Sequence, residues 1–452
     1  MLTKPDNSSN QLFPARLTSI EKYHFFRDCY EFPNNLFCRL RFVGKVNRKK
    51  AIEALTFCEE RHPLVNVAVR LDGNKLFWDG HHPPSETLRW DETSESPNFS
   101  RLDLTESSGI RFLFKETDDK FEVWIHAHYA AFDSAAVIQI ANDWMLAYAN
   151  LAAGRDIAHS MPRLDSQLLQ KRHELGLDSP SRLKLWTKQP FAIWRTTRHM
   201  FRQFGLLTNA IFARSKPQIL HDTFPVIHGE WMSAGVLKSL QDQAIKHKVS
   251  LNSILLSHLF LTVRDWRTDH QHGRPEDWIR IVMPTDIRAT FDREMPAANR
   301  SSFVEFDRRH TDFRRPDLLA KGLNDELEKM DWWYLNRMFL IAVRGMSTLS
   351  SWLRSSAESQ KYRGTIVFAN LGNPFSLIRE LKTKDGIVAG NLRLKDFDVV
   401  GPIRPGLGVN LFLQTHGKRM RLSMHVDTRQ VDMNDAEELF EAFLERVDTV
   451  RI

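Results

Sequence analysis

The amino-acid sequence predicts an α/β protein built from two domains. The chain has 452 residues, which is enough for two or three domains that each bury a core. Hydrophobic residues make up 42% of it and charged residues 26%, the balance of a soluble globular protein. Segments with the two-residue period of strands alternate with segments of helical period in both halves of the chain. That alternation is typical of sheets covered by helices.

The first half begins with a strand and a helix. Residues 35–43 alternate apolar and polar side chains, as a half-buried strand does. Asn47 is the expected N-cap of a helix over 48–61, which the Arg61-His62-Pro63-Leu64 run ends. Asp72-Gly73 is the expected turn of a hairpin. Further strands are expected at 65–70, 75–78, 110–115 and 121–125.

The second half repeats the alternation independently. Two helices are expected at 236–248 and 253–266, and residues 249–252 form the cap between them. A terminal helix is expected to begin near Asn434. Strands are expected at 278–284, 409–414 and 420–426.

The most informative stretch is residues 124–134, which read Trp-Ile-His-Ala-His-Tyr-Ala-Ala-Phe-Asp-Ser. It follows an apolar strand and precedes an amphipathic helix over 135–151. This order of elements places an imidazole at a strand end beside a carboxylate, Asp133, that can fix its surroundings.

The two histidines of this stretch, His126 and His128, are two residues apart. Because side chains alternate along a strand, they share one face while Tyr129 points to the other. Such a pair can bind a metal, but no third ligand is evident in the sequence, so no metal site is predicted. The chain also has no Gly-x-Ser-x-Gly elbow, no phosphate-binding Gly-x-x-x-x-Gly-Lys loop and no His-Glu-x-x-His motif.

Residues 128–134 resemble the His-His-x-x-x-Asp-Gly motif of the acyl-CoA-dependent acyltransferase superfamily. That group includes chloramphenicol acetyltransferase, the condensation domains of peptide synthetases and the wax ester/diacylglycerol acyltransferases. With Asp133 on the motif's aspartate, His128 takes the place of the first histidine and Tyr129 that of the second, catalytic one. Ser134 takes the place of the glycine. The resemblance extends to residues 61–64, 143–148, 249–252, 285–288, 297–299 and 364–372.

The resemblance implies an architecture of two similar chloramphenicol-acetyltransferase-like lobes. Each lobe is expected to be a mixed sheet with helices, and a channel is expected between them with the motif at its middle. The implied N-terminal lobe covers residues 1–175 and carries the histidine motif. A basic amphipathic connection over 176–221 leads to the C-terminal lobe at 222–452.

The resemblance also implies roles for individual residues. In the superfamily the motif's aspartate is mainly structural, which implies an ion pair between Asp133 and Arg288. His128, as the first histidine, is expected to be packed or hydrogen-bonded rather than to act as the base. The expected channel-lining, substrate-binding residues are Asn370, Gly372 and Ser134.

The tyrosine at the catalytic position changes the expected chemistry. In the superfamily the second histidine takes a proton from an incoming alcohol, amine or thiol, which then attacks a thioester. An imidazole suits this step because its pKa is about 6.5. A phenol with a pKa of about 10 is roughly three units too weakly available as a base at neutral pH. Tyr129 can still donate a hydrogen bond to a thioester oxygen.

The sequence is therefore compatible with two functions. The first is an enzyme that moves an acyl group from a CoA or carrier-protein thioester to an alcohol or amine, through a non-standard site around His128, Tyr129 and Asp133. The second is a catalytically inactive member that binds an acyl thioester, a carrier protein or a lipid in the channel. No bound cofactor is expected, and acyl-CoA or an acyl-carrier thioester is the expected donor. The tyrosine favours the second function.

Two segments without acidic residues, 181–221 and 332–354, combine arginine or lysine with bulky apolar side chains. The whole chain has a net charge of +7. One interpretation is peripheral contact with an anionic membrane surface. The other is ordinary helices that bury an apolar face and carry arginines at its rim. Nucleic-acid binding is not expected, because no recognised motif accompanies the basic residues.

The cysteines and the N-terminus favour a cytoplasmic location. Cys29, Cys38 and Cys58 are odd in number and lack metal-ligand spacing, which argues for a reducing compartment. The first residues lack the apolar core of a secretory signal, and no run of 18 apolar residues exists. Peripheral contact at the inner face of the membrane is left open.

Overall fold

The fold consists of two mixed β-sheets with helices packed on them, and a small third sheet. The computed structural model describes residues 12–449, apart from 84, 86–87, 94, 178–180, 182–183, 185–189, 191–201, 209–223, 273, 275–276, 333, 360–363 and 385. The two large sheets belong to two lobes, each with its own hydrophobic core. This is the α/β architecture of two lobes that the sequence predicts.

The first lobe is built on a seven-stranded sheet. Its strand order is β12-β13-β14-β2-β7-β6-β5, and all neighbours are antiparallel except β5 and β6. The strands are β2 (Asn35–Val43), β5 (Arg89–Asp91), β6 (Ile110–Thr117), β7 (Lys120–His128), β12 (Lys382–Thr383), β13 (Gly386–Ala389) and β14 (Leu392–Val400). A three-stranded sheet of β1 (Ala15–Arg16), β4 (Lys75–Asp79) and β3 (Ala68–Asp72) lies beside it.

The second lobe is built on a six-stranded sheet of order β10-β9-β11-β15-β16-β8. Strand β11 is parallel to both of its neighbours, and the other pairs are antiparallel. The strands are β8 (Val226–Trp231), β9 (Ile279–Asp286), β10 (Ser301–Arg308), β11 (Ile366–Asn370), β15 (Val409–His416) and β16 (Arg419–Val426).

The helices form where apolar periodicity and caps coincide. Asn47 accepts the Lys50 N–H at 3.1 Å and caps the second helix, and Ser250 accepts the Ser253 N–H at 3.2 Å and caps the sixth. The helices are α1 (Ser19–Arg27), α2 (Arg48–Arg61), α3 (Ser134–Ala152), α4 (Ile157–Ser160), α5 (Val236–His247), α6 (Leu251–Asp269), α7 (Pro316–Trp332), α8 (Leu335–Met346), α9 (Ser350–Glu358) and α10 (Met433–Thr449).

One expected strand begins later than the sequence suggests. The sequence predicts a strand over 65–70, but Pro63–Asn66 forms a single 3₁₀ turn and the strand begins at Ala68. Proline at the first position of a turn fixes φ in the helical range, so a 3₁₀ turn forms before the strand begins. The expected Asp72-Gly73 hairpin turn is present, with Gly73 at φ +57.

Strands β12–β14 lie in the first sheet, although the sequence division placed residues 222–452 in the second lobe. Strand β14 pairs with β2 along most of its length, and Phe397 and Val399 are buried in the core of the first lobe. Long-range strand pairing of this kind leaves no local trace in the sequence. The division at 175 and 222 remains a prediction, with this segment crossing back to the first sheet.

A buried ion-pair cluster joins the two sheets where β14 meets β16. The Arg421 guanidinium donates to Asp398 Oδ1 at 2.9 Å and to the carbonyl oxygen of Gly229 at 3.0 Å. Ser423 donates to the same Asp398 oxygen at 2.8 Å, and Arg41 lies 3.3 Å from the other. Burial raises the pKa of Asp398, but these cations and donors outweigh it and lower that pKa below its usual value.

The two acid-free segments differ in what the structure describes. Most of 181–221 lies outside the described residues. In the second segment, Met338, Leu340 and Leu353 are buried, whereas Leu349 and Trp352 are exposed. No helix within the described ranges is both long and apolar enough to cross a bilayer. Peripheral membrane contact remains a prediction.

The turn between β13 and β14 explains why a glycine follows β2. Gly44 has φ +124, and a Cβ at this position would overlap the Asn391 carbonyl oxygen. Asn391 accepts a hydrogen bond from the Tyr148 hydroxyl of α3 at 2.8 Å, so the turn is fixed to the first lobe. Close backbone approach at positive φ requires glycine.

We expect Gly44→Ala to lower the free energy of unfolding by about 2–4 kcal/mol, because it adds both backbone strain and a steric overlap. Urea unfolding followed by circular dichroism measures it. Gly73→Ala is the matched control, since Gly73 has φ +57 but no atom near its Cβ position. It should cost only about 1 kcal/mol. Equal effects of the two substitutions would contradict the docking of β13–β14 on β2.

Candidate functional site

The predicted motif lies at the end of β7, between the two lobes. Strand β7 continues to His128, whose register partner on β2 is Asn35. A tight turn follows, in which the Ala131 and Phe132 N–H groups donate to the His128 carbonyl oxygen at 3.0 and 3.2 Å. Helix α3 then begins at Ser134. The turn therefore presents its side chains at one end of the first sheet.

Asp133 accepts four hydrogen bonds and is almost fully buried. Its side chain caps α3 by accepting the Ala136 N–H at 2.8 Å. Arg288 of the second lobe donates to both carboxylate oxygens, at 2.9 and 3.0 Å, and the Arg300 N–H donates at 2.6 Å. The carboxylates of Asp133 and Asp286 raise the pKa of the Arg288 guanidinium despite its burial. The structure thus brings together the two residues that the resemblance paired.

The loop between β9 and β10, residues 287–300, ties the second lobe to the motif. Its Asn299 donates from the backbone to the Ala131 carbonyl oxygen at 2.8 Å and from the side chain to the Tyr129 carbonyl oxygen. Its Ala297 N–H donates to His62 Nδ1 at 3.0 Å. Met295, Ala297 and Ala298 pack in the core of the first lobe. The motif turn is therefore held from both lobes.

His128 is held by hydrogen bonds on one side and faces a carboxylate on the other. Its Nδ1 accepts the Ala130 N–H at 3.0 Å, so the ring carries its proton on Nε2. That nitrogen lies 3.6 Å from Asp28 Oδ2. The carboxylate of Asp28 also accepts from Arg101 and from the Asn34 N–H. Burial opposes its charge, but His128, Asn34 and Arg101 together lower the pKa of Asp28.

Tyr129 occupies a packed aromatic environment. It is 5% exposed, and its ring meets the ring of His24 edge to face at a centroid distance of 4.8 Å. The phenol lies near the Ser301 hydroxyl, and burial raises the pKa of Tyr129 above its usual value, with the nearby charge of Asp133 raising it further. The phenol is therefore protonated at neutral pH and has a proton to donate in a hydrogen bond.

His126 is not part of the motif turn. Its ring stacks on Phe37 at a centroid distance of 4.8 Å and touches Phe99 at 5.1 Å. Burial, followed by the charges of Arg111 and His128, lowers the pKa of His126 well below its usual value. This histidine is a neutral ring in an apolar cluster that lies between the lobes.

Of the three expected substrate-binding residues, Asn370 and Gly372 lie together after β11, and Ser134 lies at the start of α3. Ser134 is the first residue of α3 and has a negative φ, so the backbone there does not require the glycine of the motif. Asn370 donates to Asn252 Oδ1 at 2.7 Å and accepts the Gly372 N–H at 3.0 Å, at the end of β11. Their binding roles remain predictions.

Comparison with solved structures identifies the fold, whereas no protein-family model and no curated protein sequence matches the chain. The first condensation domain of the calcium-dependent antibiotic synthetase, in complex with a substrate analogue, matches with a TM-score of 0.69 and 11% identity over 97% of each chain. The chain has the condensation-domain fold. Trichothecene 15-O-acetyltransferase from Fusarium sporotrichioides matches with a TM-score of 0.67 and 11% identity, over 97% of this chain and 95% of its own. The starter condensation domain of rhizomide synthetase, in complex with C8-CoA, matches at 0.65 and 11%, over 99% and 97%.

Within the condensation-domain fold of this chain, three residues near the motif escaped the sequence analysis. His24 of α1 packs on Tyr129, Asp28 faces His128, and Asn34 links them. Asn34 is fully buried, its N–H donates to Asp28 at 2.7 Å, and its carbonyl oxygen accepts the Tyr129 N–H at 2.8 Å. Its side-chain amide donates to the His24 carbonyl oxygen at 2.9 Å. No motif marks these residues, because only the tertiary fold brings them to β7.

The described part of the chain contains no group of three or more histidine, cysteine, aspartate or glutamate side chains arranged to hold a metal ion. His126 and His128 have aromatic and carboxylate neighbours respectively, rather than a shared ligand.

We expect Asp133→Ala to lower the free energy of unfolding by about 3 kcal/mol, since it removes one partner of a buried pair and the cap of α3. Asp286→Ala is the matched control, because Asp286 contacts the same guanidinium at 3.0 Å but its side chain is 49% exposed. An exposed partner contributes about 1 kcal/mol or less. Urea titration of both variants makes the comparison. If the Asp133→Ala and Asp286→Ala variants unfold at the same midpoint urea concentration, the buried pair does not hold the motif turn.

Proposed function

We propose that this chain binds an acyl thioester between its lobes and does not transfer the acyl group. The observation that carries the proposal is Tyr129, a buried and protonated phenol at the place of the motif's second histidine. Proton abstraction from an alcohol or amine needs a group that is unprotonated near neutral pH and within hydrogen-bond reach. A phenol with a raised pKa is protonated near neutral pH, so it fails the first of these conditions even where it is within hydrogen-bond reach.

The neighbouring imidazole does not replace the missing base. A general base needs a free lone pair directed at the substrate, and the Nδ1 lone pair of His128 already accepts the Ala130 N–H. The other ring nitrogen, Nε2, carries the proton and faces Asp28 at 3.6 Å. His128 is thus better suited to hold the turn than to move a proton.

The framework around the missing base is intact, which supports binding as the retained activity. Asp133 keeps its four donors, and the 287–300 loop keeps its hydrogen bonds to the turn. A chain that had lost every use for the site would have no requirement for an ordered motif. The starter condensation domain of the same fold is complexed with C8-CoA, so octanoyl-CoA is the natural first probe.

A second candidate function is acyl transfer with His24 as the general base. His24 is a buried imidazole whose ring lies 4.8 Å from that of Tyr129. The carbonyl oxygen of His24 accepts from the Asn34 amide, which fixes this part of α1 against the motif. An imidazole has the pKa range that the reaction needs. This candidate differs from the first in requiring turnover by the unmodified protein.

We expect Tyr129→His to raise the rate of octanoyl-CoA cleavage by about 100-fold or more over the unmodified chain. General-base assistance typically contributes about 10²–10⁴-fold, and the substitution restores an imidazole at the motif position. Release of free CoA thiol, followed with a thiol reagent and with alcohol or amine acceptors, measures the rate. Calorimetric binding of octanoyl-CoA to both forms separates loss of binding from lack of chemistry.

Tyr129→Phe is the control for this experiment, since it keeps the ring and removes the hydroxyl. It should leave octanoyl-CoA cleavage at the uncatalysed rate. Rapid turnover by the unmodified chain that Tyr129→Phe abolishes would make the phenol a catalytic group and refute the binding proposal. Absence of octanoyl-CoA binding by every form would refute it as well.

We expect His24→Gln to leave octanoyl-CoA affinity within about threefold and to change no rate, because the binding proposal gives His24 no proton to move. Steady-state kinetics and calorimetry on the same preparation measure both quantities. Measurable turnover by the unmodified chain, with kcat reduced at least about 100-fold by His24→Gln at constant KM, would instead establish the second candidate.

A further inference from the structure

Arg404 is a buried arginine whose guanidinium donates to neutral oxygen atoms. Its residue is 7% exposed, and its guanidinium donates to the Phe32 carbonyl oxygen at 3.0 Å and to Asn34 Oδ1, both neutral acceptors. Within the described residues, no acidic side chain forms an ion pair with it. Five other buried arginines contact carboxylates: Arg172 with Glu21, Arg267 with Asp277, Arg280 with Asp307, Arg300 with Asp292 and Arg421 with Asp398.

The surroundings of Arg404 disfavour its charge. Burial, followed by repulsion from Arg27, lowers the pKa of Arg404 to about 9, and the attraction of Asp28 does not restore it. The carboxylate of Asp28 already serves Arg101, the Asn34 N–H and His128. Burying a cation without a counter-charge costs free energy, so an anion placed beside Arg404 is stabilised.

Arg404 lies at the motif rather than at a remote position. Asn34, which accepts from its guanidinium, also accepts the Tyr129 N–H at 2.8 Å through its carbonyl oxygen. The charge of Arg404 acts on the phenol of Tyr129 and lowers its pKa in part, against the larger effect of burial. Asn34 thus connects Arg404, in the segment between β14 and β15, to the backbone of Tyr129.

We propose that Arg404 binds an anionic group of the ligand, so that a carboxylate or phosphate oxygen lies beside Tyr129. This inference rests on the proposed function, because it specifies which ligand the inter-lobe site accepts. A guanidinium and a protonated phenol are both hydrogen-bond donors, and together they suit an oxyanion rather than a nucleophile. The site then recognises charge at the position aligned with the motif's second histidine.

Calorimetry on the full chain with three probes tests the inference. Octanoate supplies a carboxylate without phosphate, CoA supplies phosphates without an acyl chain, and octanoyl-N-acetylcysteamine is an uncharged thioester. We expect Arg404→Gln to weaken either octanoate or CoA by at least about tenfold, the usual effect of losing a hydrogen bond to a charged group. The probe that is weakened identifies carboxylate or phosphate. Binding of the neutral thioester should stay unchanged.

Arg354→Gln is the matched control, since Arg354 is exposed and paired with Glu358 on α9. It should leave all three affinities unchanged. Equal affinity of Arg404→Gln and the unmodified chain for both anions, with the neutral thioester bound by both, would overturn the inference and leave the proposed function standing. Failure of the unmodified chain to bind octanoyl-CoA would overturn the proposed function instead.

A second measurement covers the case in which Arg404→Gln does not fold. Octanoate or phosphate should raise the melting temperature of the unmodified chain more than sodium chloride at equal ionic strength, because a ligand that binds the native state stabilises it. Arg404→Lys keeps the charge and should keep part of that rise. No rise with either anion would overturn the inference.

Discussion

The arrangement of the site depends on the carboxylate of Asp133. Its two oxygens receive the N-terminal amide of α3, the guanidinium of Arg288 and the backbone of Arg300, which belong to two different lobes. A buried carboxylate is stable only when such donors surround it. Because the Asp133 carboxylate binds the start of α3, the Arg288 side chain and the Arg300 backbone at once, these contacts fix the geometry of the turn over 128–133. The position of Tyr129 follows from it.

Framework and chemistry are separable in this molecule. The hydrogen bonds that shape the turn use backbone groups and the side chains of His128, Asp133 and Asn299, and none of them involves the side chain at position 129. A histidine can therefore be replaced by a tyrosine without disturbing the turn. An imidazole at this position can accept a proton, whereas the phenol of Tyr129 can donate a hydrogen bond. The space around the ring is defined by the packing of α1, β7 and β10.

The sequence predicts the parts of the fold that local chemistry decides. Strand β2 and helix α2 have the expected bounds because period and cap coincide, and α3 begins within one residue of its expected start. Two kinds of feature escape such reasoning. Strand β14 is in the first sheet because its partner is β2, and Asp28 and Arg404 are at the motif because tertiary packing brings them there. Residue spacing and periodicity predict neither the pairing of β14 nor the positions of Asp28 and Arg404. The tyrosine at position 129, by contrast, is apparent as soon as the motif is aligned.

The buried arginines of this fold differ in whether a carboxylate contacts them. At the junction of the sheets, Arg421 meets Asp398, and beneath the motif turn Arg288 meets Asp133, so each buried cation has its anion. Stability favours that arrangement, and a protein selected for stability alone would extend it to Arg404. A buried guanidinium with neutral acceptors lowers the stability of the empty protein, and such local violations are expected where function requires them. Arg404 is connected through Asn34 to the backbone N–H of Tyr129, the residue aligned with the motif's second histidine. A site with donors and surplus positive charge is arranged to hold an anion, which is a different task from activating a nucleophile.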